Sequence, residues 1–112
     1  MEWYQVPDLQ YKGQTFIKRV KIAGKVLCLV SYGGEVFALG AKCPHAGGDL
    51  TQGWCQEGKL VCPIHRYSFD LTTGKGSPGQ NDYINSYPVE IRDNSVYIGI
   101  TSFWERFKQA FK

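Results

Sequence analysis

Two short segments of the chain each pair a cysteine with a histidine. The first reads Cys43-Pro44-His45 and the second, after a spacer of residues 46–61, reads Cys62-Pro63-Ile64-His65. Thiolate and imidazole groups are common protein ligands of zinc and of mixed-ligand iron–sulfur centres. A cysteine and a histidine two or three positions apart can reach one centre from a single loop, and both histidines of the chain lie in these segments. The pattern therefore predicts one metal site that two loops share.

The other two cysteines do not belong to such a pair. Cys28 lies in the apolar run Val26–Val30, where a thiol behaves as a small core hydrophobe. Cys55 follows Trp54 in a glycine-rich segment, and we expect it to pack in the loop rather than to act as a further ligand. The N-terminus, residues 1–7, has no export signal. Four cysteines in a short chain without such a signal favour a metal site over disulfides.

The elements that must position the two loops are predicted to be strands. Aromatic and β-branched runs of strand length alternate with turn residues, which is typical of an all-β fold. The predicted strands span residues 14–21, 25–32, 35–39, 59–61, 83–92 and 95–100. Gly33-Gly34 and Asp93-Asn94 tolerate the positive φ of tight turns and predict two antiparallel hairpins. Residues 42–58 are too many for a turn and too rich in glycine for a strand, so we expect a functional loop there.

Only the C-terminal segment, residues 101–112, has a helical pattern. Its aromatic residues Phe103, Trp104, Phe107 and Phe111 fall at spacings that share one face of a helix. We expect this short helix to pack against the domain or a neighbouring subunit. At 112 residues, the chain is predicted to form one domain over residues 1–112, with the ligand loops within about residues 42–70.

Composition and charge argue against several functions. The net charge is +3, and no run of basic side chains could follow a nucleic acid backbone. No stretch approaches the roughly 18 apolar residues of a membrane span. No carboxylate is paired with a nucleophile in a catalytic pattern, so no catalytic residue is assigned. We expect a cytoplasmic monomer or weak oligomer that does not bind nucleic acid and does not span a membrane.

The paired segments resemble the signature of the Rieske iron–sulfur family, which is C-x-H, a spacer of about this length, and C-x-x-H. The resemblance covers most of the chain. It implies a Rieske-type 2Fe-2S cluster, with Cys43 and Cys62 on one iron and His45 and His65 on the other. It also implies an antiparallel β sandwich with a cluster-binding subdomain of two loops. The expected function is that of a ferredoxin, a one-electron carrier between a flavoprotein reductase and a terminal oxygenase, without catalysis of its own.

Several positions beside the ligands depart from patterns in this family. High-potential members carry a second cysteine pair that bridges the loops; the matching positions here are Gly48 and Ile64, so that disulfide cannot form. Phe69 stands where those members have a tyrosine that donates a hydrogen bond, which predicts a lower reduction potential. Many related ferredoxins have glycine after the last histidine, whereas this chain has Arg66.

Two other functions stay open on the sequence alone. The small subunit of an assimilatory nitrite reductase belongs to the same superfamily, although many of those chains have lost the four ligands that are present here. A zinc-stabilised interaction domain would use the same types of ligand in a tetrahedral site. Such a domain would be colourless and would depend on metal for folding, without any redox role.

Overall fold

Ten strands and one short helical turn form the part of the chain that the computed structural model describes, residues 1–44 and 47–101. The strands are β1 (Glu2–Gln10), β2 (Phe16–Ile22), β3 (Lys25–Tyr32), β4 (Glu35–Gly40), β5 (Trp54–Gln56), β6 (Lys59–Val61), β7 (Ser68–Asp70), β8 (Ser86–Tyr87), β9 (Val89–Arg92) and β10 (Ser95–Ile100). A single 3-10 turn spans Leu50–Gln52. The strands form three antiparallel sheets, in the orders β1-β10-β9, β2-β3-β4-β8 and β5-β6-β7. The all-β prediction is confirmed.

Strand β3 contributes to two hydrophobic cores, one on each of its faces. Leu27 and Leu29 pack in one core with residues of the β1-β10-β9 sheet, among them Val96. Cys28 and Val30 pack in the other core. Because side chains alternate between the faces of a strand, a strand that is buried on both faces has a continuous apolar sequence. The uninterrupted run in β3 is explained by this double burial.

The second core positions the loops that carry the chemistry. Leu50 from the 3-10 turn, Leu60 from β6 and Phe69 from β7 are all 0% exposed and pack with Cys43 and Cys62 against β3 and β4. The small β5-β6-β7 sheet is thereby fixed to the larger β2-β3-β4-β8 sheet. The two predicted ligand loops lie at this junction, at the end of β4 and between β6 and β7.

Both predicted hairpins are confirmed. Gly33 and Gly34, with φ of +63° and +82°, connect β3 to β4. Asp93 and Asn94, with φ of +49° and +67°, connect β9 to β10. Consecutive positive φ values match the right-handed twist of the flanking strands, which is why these residue types mark tight hairpins.

Three strand predictions were wrong or incomplete. Strand β1 was not predicted, because Pro7 and a left-handed Asp8 (φ +59°) interrupt its pattern; an edge strand tolerates both at a bulge. The single strand predicted over 83–92 is divided at Pro88, so that β8 and β9 join different sheets. The segment 42–58, predicted as irregular, contains the 3-10 turn and β5, and β7 was also missed. Strands β5 and β7 are each only three residues long, which is too short for a periodic pattern in the sequence.

The predicted C-terminal helix, residues 101–112, lies outside the described residues except for Thr101, which belongs to no helix or strand. Within residues 1–44 and 47–101, the structure contains no helix with the length and apolar character that a membrane crossing requires.

Candidate metal centre

The first ligand loop runs from residue 41 to residue 48, and backbone hydrogen bonds close it around Cys43. The Cys43 N–H donates to the Gly48 carbonyl oxygen at 2.9 Å, and the Gly47 N–H donates to the Cys43 carbonyl oxygen at 2.8 Å. Gly47 has φ of +66°, which glycine adopts without a steric penalty. The Cys43 side chain is 0% exposed. The loop thus turns back on itself and keeps this thiol inside the molecule.

The second ligand loop, residues 62–67, connects β6 to β7 and closes in a similar way. The Cys62 N–H donates to the Tyr67 carbonyl oxygen at 2.7 Å. His65 and Arg66 have φ of +58° and +57°, a conformation that costs a non-glycine residue about 1–2 kcal/mol. Cys62 is 0% exposed, whereas His65 and Arg66 are exposed. Two consecutive left-handed residues therefore make the turn that places an exposed histidine after a buried cysteine.

The structure brings the two predicted cysteine ligands together. Cys43 and Cys62 are buried in the same core cluster, and each of Cys43 and Ile64 lies close enough to affect the pKa of the Cys62 thiol. Burial raises the pKa of the Cys62 thiol, the Ile64 N–H opposes this effect, and the neighbouring Cys43 thiol adds to it. Metal ions bind the thiolate form, so a cation at this point would replace the protons and relieve the cost of ionising buried thiols.

Gly48 lies where the two loops touch. A Cβ atom on Gly48 would lie 3.0 Å from the Cys62 Sγ and 3.0 Å from the Ile64 Cδ1, closer than ordinary van der Waals contact. The backbone of the first loop can approach the second cysteine this closely only because this residue has no side chain. Gly48 and Ile64, the pair of positions without the bridging cysteines of high-potential relatives, are thus neighbours in space.

The structure describes only one of the two predicted histidine ligands. The His65 ring stands edge-on to the Tyr67 ring, with 6.5 Å between the centroids and 73° between the planes. His45, the remaining predicted ligand, lies outside the described residues. Across residues 1–44 and 47–101, no three His, Cys, Asp or Glu side chains are grouped closely enough to hold one metal ion. Among the described residues, Cys43, Cys62 and His65 are therefore not arranged to hold one single metal ion.

A third segment, residues 77–80, is fastened to the end of the second ligand loop, and we call it the strap. The Ser68 N–H donates to the Gln80 Oε1 at 3.1 Å, and the Gln80 Nε2 donates to the Ser68 carbonyl oxygen at 3.1 Å. The Ser77 N–H donates to the same carbonyl oxygen at 3.1 Å, and the Ser68 and Ser77 hydroxyls are hydrogen-bonded. Sequence analysis missed Gln80, because its role depends on a partner that is distant in the chain.

The two other cysteines lie apart from the candidate centre. Cys28 is 0% exposed, and burial raises the pKa of its thiol to about 12. Cys55 is half-buried in β5 and packs against the core that contains Cys28, and burial raises the pKa of its thiol as well. Burial among apolar side chains keeps a thiol protonated and chemically inert. These two residues are therefore part of the packing.

Comparisons with known proteins show the family and the fold of the chain. The family model described as Rieske [2Fe-2S] domain matches residues 2–88. The chain is 32% identical over 103 residues to the ferredoxin component of the naphthalene 1,2-dioxygenase system of Pseudomonas putida, covering 90% of this chain and 98% of that protein. It is 42% identical over 77 residues to human apoptosis-inducing factor 3, covering 67% of this chain but 12% of that protein. The solved structure of the Sphingomonas yanoikuyae B1 ferredoxin, 28% identical, superimposes with a TM-score of 0.71 over 90% of this chain and 98% of that chain.

Proposed function

Because the chain belongs to the Rieske [2Fe-2S] family, we propose that it is a ferredoxin of a ring-hydroxylating oxygenase system, which accepts one electron from a flavoprotein reductase and passes it to a terminal oxygenase. The observation that carries this proposal is the nearly end-to-end match with a dioxygenase ferredoxin component, over 90% of this chain and 98% of that protein.

The family's cofactor is a Rieske-type 2Fe-2S cluster, and the residues present fit it. Cys43 and Cys62 would hold one iron and His45 and His65 the other. When bound, the cluster supplies a reversible one-electron redox step. The chain's own contribution is to bury two neighbouring thiols between closed loops and to leave the imidazole of His65 at the surface.

The geometry of the described ligands favours a two-iron centre over the zinc alternative. A tetrahedral zinc site would bring Cys43, Cys62 and His65 around a single ion. The described residues contain no such group of three, although Cys43 and Cys62 are buried in the same core cluster. In a Rieske centre the thiolates and the imidazoles bind different irons, so the sulfurs pair with each other and the histidines lie further out.

We further propose that the protein has no catalytic residue of its own and acts in the cytoplasm. The thiols of Cys28 and Cys55, which are not proposed as ligands, support that compartment, since neither forms a disulfide. Exposed His65 supports a carrier role, because an electron must reach the surface to leave the protein.

Low-temperature EPR of the dithionite-reduced holoprotein tests the proposed function. We expect iron and sulfide at the stoichiometry of one 2Fe-2S cluster per chain, and an average g value below that of all-cysteine clusters. The substitutions Cys43→Ser and Cys62→Ser should abolish the signal. The matched controls Cys28→Ala and Cys55→Ala also remove one cysteine each and should keep it. A colourless protein that binds zinc instead, or a signal that survives Cys62→Ser, would refute the proposal.

A further inference from the structure

The two ligand loops carry positive charge and no negative charge. Residues 41–48 and 62–67 contain Lys42 and Arg66 but no Asp or Glu. Both cations are exposed, and within the described part of the chain neither side chain has an ion-pair or hydrogen-bond partner. The strap, residues 77–80, has no charged residue at all. The two loops therefore contribute only positive charge to the surface around the candidate metal centre.

The acidic residue that follows the first loop is already engaged within the chain. The Asp49 carboxylate accepts hydrogen bonds from the Thr51 N–H at 2.9 Å and from the Thr51 hydroxyl at 2.6 Å. Its other oxygen lies 3.6 Å from the Arg19 guanidinium. The Thr51 hydroxyl lowers the pKa of this carboxyl. Asp49 lies opposite Lys42 in an isolated β-bridge, but its carboxylate already accepts the two Thr51 hydrogen bonds and faces Arg19.

The carboxylates of the small β5-β6-β7 sheet lie at its opposite end. In its register, Val61 pairs with Ser68 beside the second ligand loop, and Lys59 pairs with Asp70 at the far end. Glu57 occupies the turn between β5 and β6, which is also at the far end. The sheet therefore separates its negative charges from the loops along its length.

Exposed apolar groups lie in the same two loops as the cations. Ile64 is 42% exposed, and Pro44 and Pro63 are also exposed. The Gly47-Gly48 turn has Lys42 on one side and Ile64 on the other: a Cβ on Gly47 would lie 3.6 Å from the Lys42 Cε, and a Cβ on Gly48 would lie 3.0 Å from the Ile64 Cδ1. An apolar centre with a charged rim is the usual anatomy of a protein–protein interface.

Arg66 occupies a backbone position that suits glycine. With φ of +57°, it holds a conformation that glycine would adopt without steric cost. Its side chain makes no ion pair or hydrogen bond within the described residues that would repay this cost. No group among residues 1–44 and 47–101 therefore occupies this cation.

We propose that the face formed by the described residues of the two loops, 41–44, 47–48 and 62–67, which we call the tip, docks onto an acidic surface of a redox partner protein. Lys42 and Arg66 attract carboxylates of the partner, and Ile64 with the two prolines forms the desolvated centre of the contact. The inference rests on the proposed carrier function, and it specifies in addition that the docking surface of the partner is negatively charged. Attraction of this kind raises association rates and weakens as salt screens it.

Electron transfer to two proteins of opposite surface charge tests the proposal. Dithionite-reduced, desalted holoprotein is mixed in a stopped-flow instrument with acidic plastocyanin or with basic cytochrome c. One electron leaves the reduced holoprotein and reduces one Cu(II) or one Fe(III), without proton uptake. We expect the plastocyanin rate to fall and the cytochrome c rate to rise as salt is added. The plastocyanin-to-cytochrome c ratio of rates cancels changes in the ferredoxin's own potential, so it is the quantity to compare between variants.

Three double variants locate the charge. Lys42→Glu/Arg66→Glu should lower the ratio at low salt by about 10-fold or more. Lys12→Glu/Lys18→Glu changes the net charge equally at exposed residues outside the loops and should change the ratio less than about 2-fold. Lys42→Arg/Arg66→Lys keeps both charges and should keep the ratio.

The outcomes separate this proposal from the proposed function. Equal effects of the two Glu double variants, or a wild-type protein whose plastocyanin rate does not fall with salt, overturn the docking proposal while the carrier function stands. Protein that shows no Rieske EPR signal overturns both. A ratio that collapses only in Lys42→Glu/Arg66→Glu supports the acidic partner.

Discussion

Gly48 shows how a single residue limits what the ligand loops can tolerate. We expect Gly48→Ala to lower the amount of cluster bound, because its Cβ would lie 3.0 Å from both the Cys62 Sγ and the Ile64 Cδ1. Overpacking of this kind costs roughly 1–3 kcal/mol. Iron per chain and visible absorbance of the purified holoprotein measure the effect.

Two further variants control for the substitution at Gly48. Gly40→Ala adds the same methyl group at a position where the nearest atoms lie at 3.7 Å and 3.8 Å, so it should retain the cluster. Ile64→Val removes the Cδ1 atom, and the double variant Gly48→Ala/Ile64→Val should recover part of the loss. Full cluster content in Gly48→Ala alone would show that the close approach is not required.

Among the elements, the strap contains no ligand, but we expect it to hold the second ligand loop in place. Gln80 bonds both the N–H and the carbonyl of Ser68, directly after the residue that closes the second loop. Removing this side chain takes away the acceptor of the Ser68 N–H, at a cost of about 1 kcal/mol, whereas the Ser68 carbonyl keeps the Ser77 N–H as its donor. We expect Gln80→Ala to release the cluster several-fold faster than wild type in the presence of an iron chelator.

The decay of visible absorbance after chelator addition gives the release rate. Gln52→Ala is the matched control, since Gln52 is exposed and lies in the 3-10 turn away from the strap. Equal release rates for the two variants would mean that the strap does not hold the second loop in place. A faster rate in Gln80→Ala alone would assign the strap a positioning role.

For the molecule as a whole, burial of Cys28 in the core next to the site should make the free energy of unfolding depend on pH in the alkaline range. Burial raises the pKa of its thiol from 9.0 to about 12, so the folded protein keeps a proton that the unfolded chain loses above pH 9. A raised folded-state pKa contributes stability that is fully present below pH 9 and is lost as the pH rises toward 12. Between pH 8 and pH 10 this loss amounts to about 1 kcal/mol.

Urea unfolding midpoints of the holoprotein, followed by far-UV circular dichroism at pH 8 and pH 10, test this expectation. Cys28→Ala should lower the midpoint at pH 8 but should lose less than wild type on going to pH 10. Val30→Ala removes a fully buried, non-titrating side chain from the same core and should keep the wild-type pH dependence. An identical pH dependence in all three proteins would contradict a buried neutral thiol at Cys28.

The sequence alone predicted the ligands of the site and the class of the fold. Ligand types and spacing at Cys43-Pro44-His45 and Cys62-Pro63-Ile64-His65 are local properties, and so are the hairpin turns, because each depends on residues that are adjacent in the chain. The glycine pairs and apolar runs therefore predicted an all-β fold, and the cysteine–histidine pairs predicted a Rieske site.

Only the tertiary structure decided how the loops meet. The contact between Gly48 and Cys62, the fastening of Ser68 by Gln80, and the separation of Asp70 from the tip all join residues that are distant in sequence. The short strands β5 and β7 were missed for the same reason: pairing with β6, rather than their own pattern, makes them strands. Chain neighbours set local conformation, but the packing of sheets against each other sets which side chains become neighbours in space.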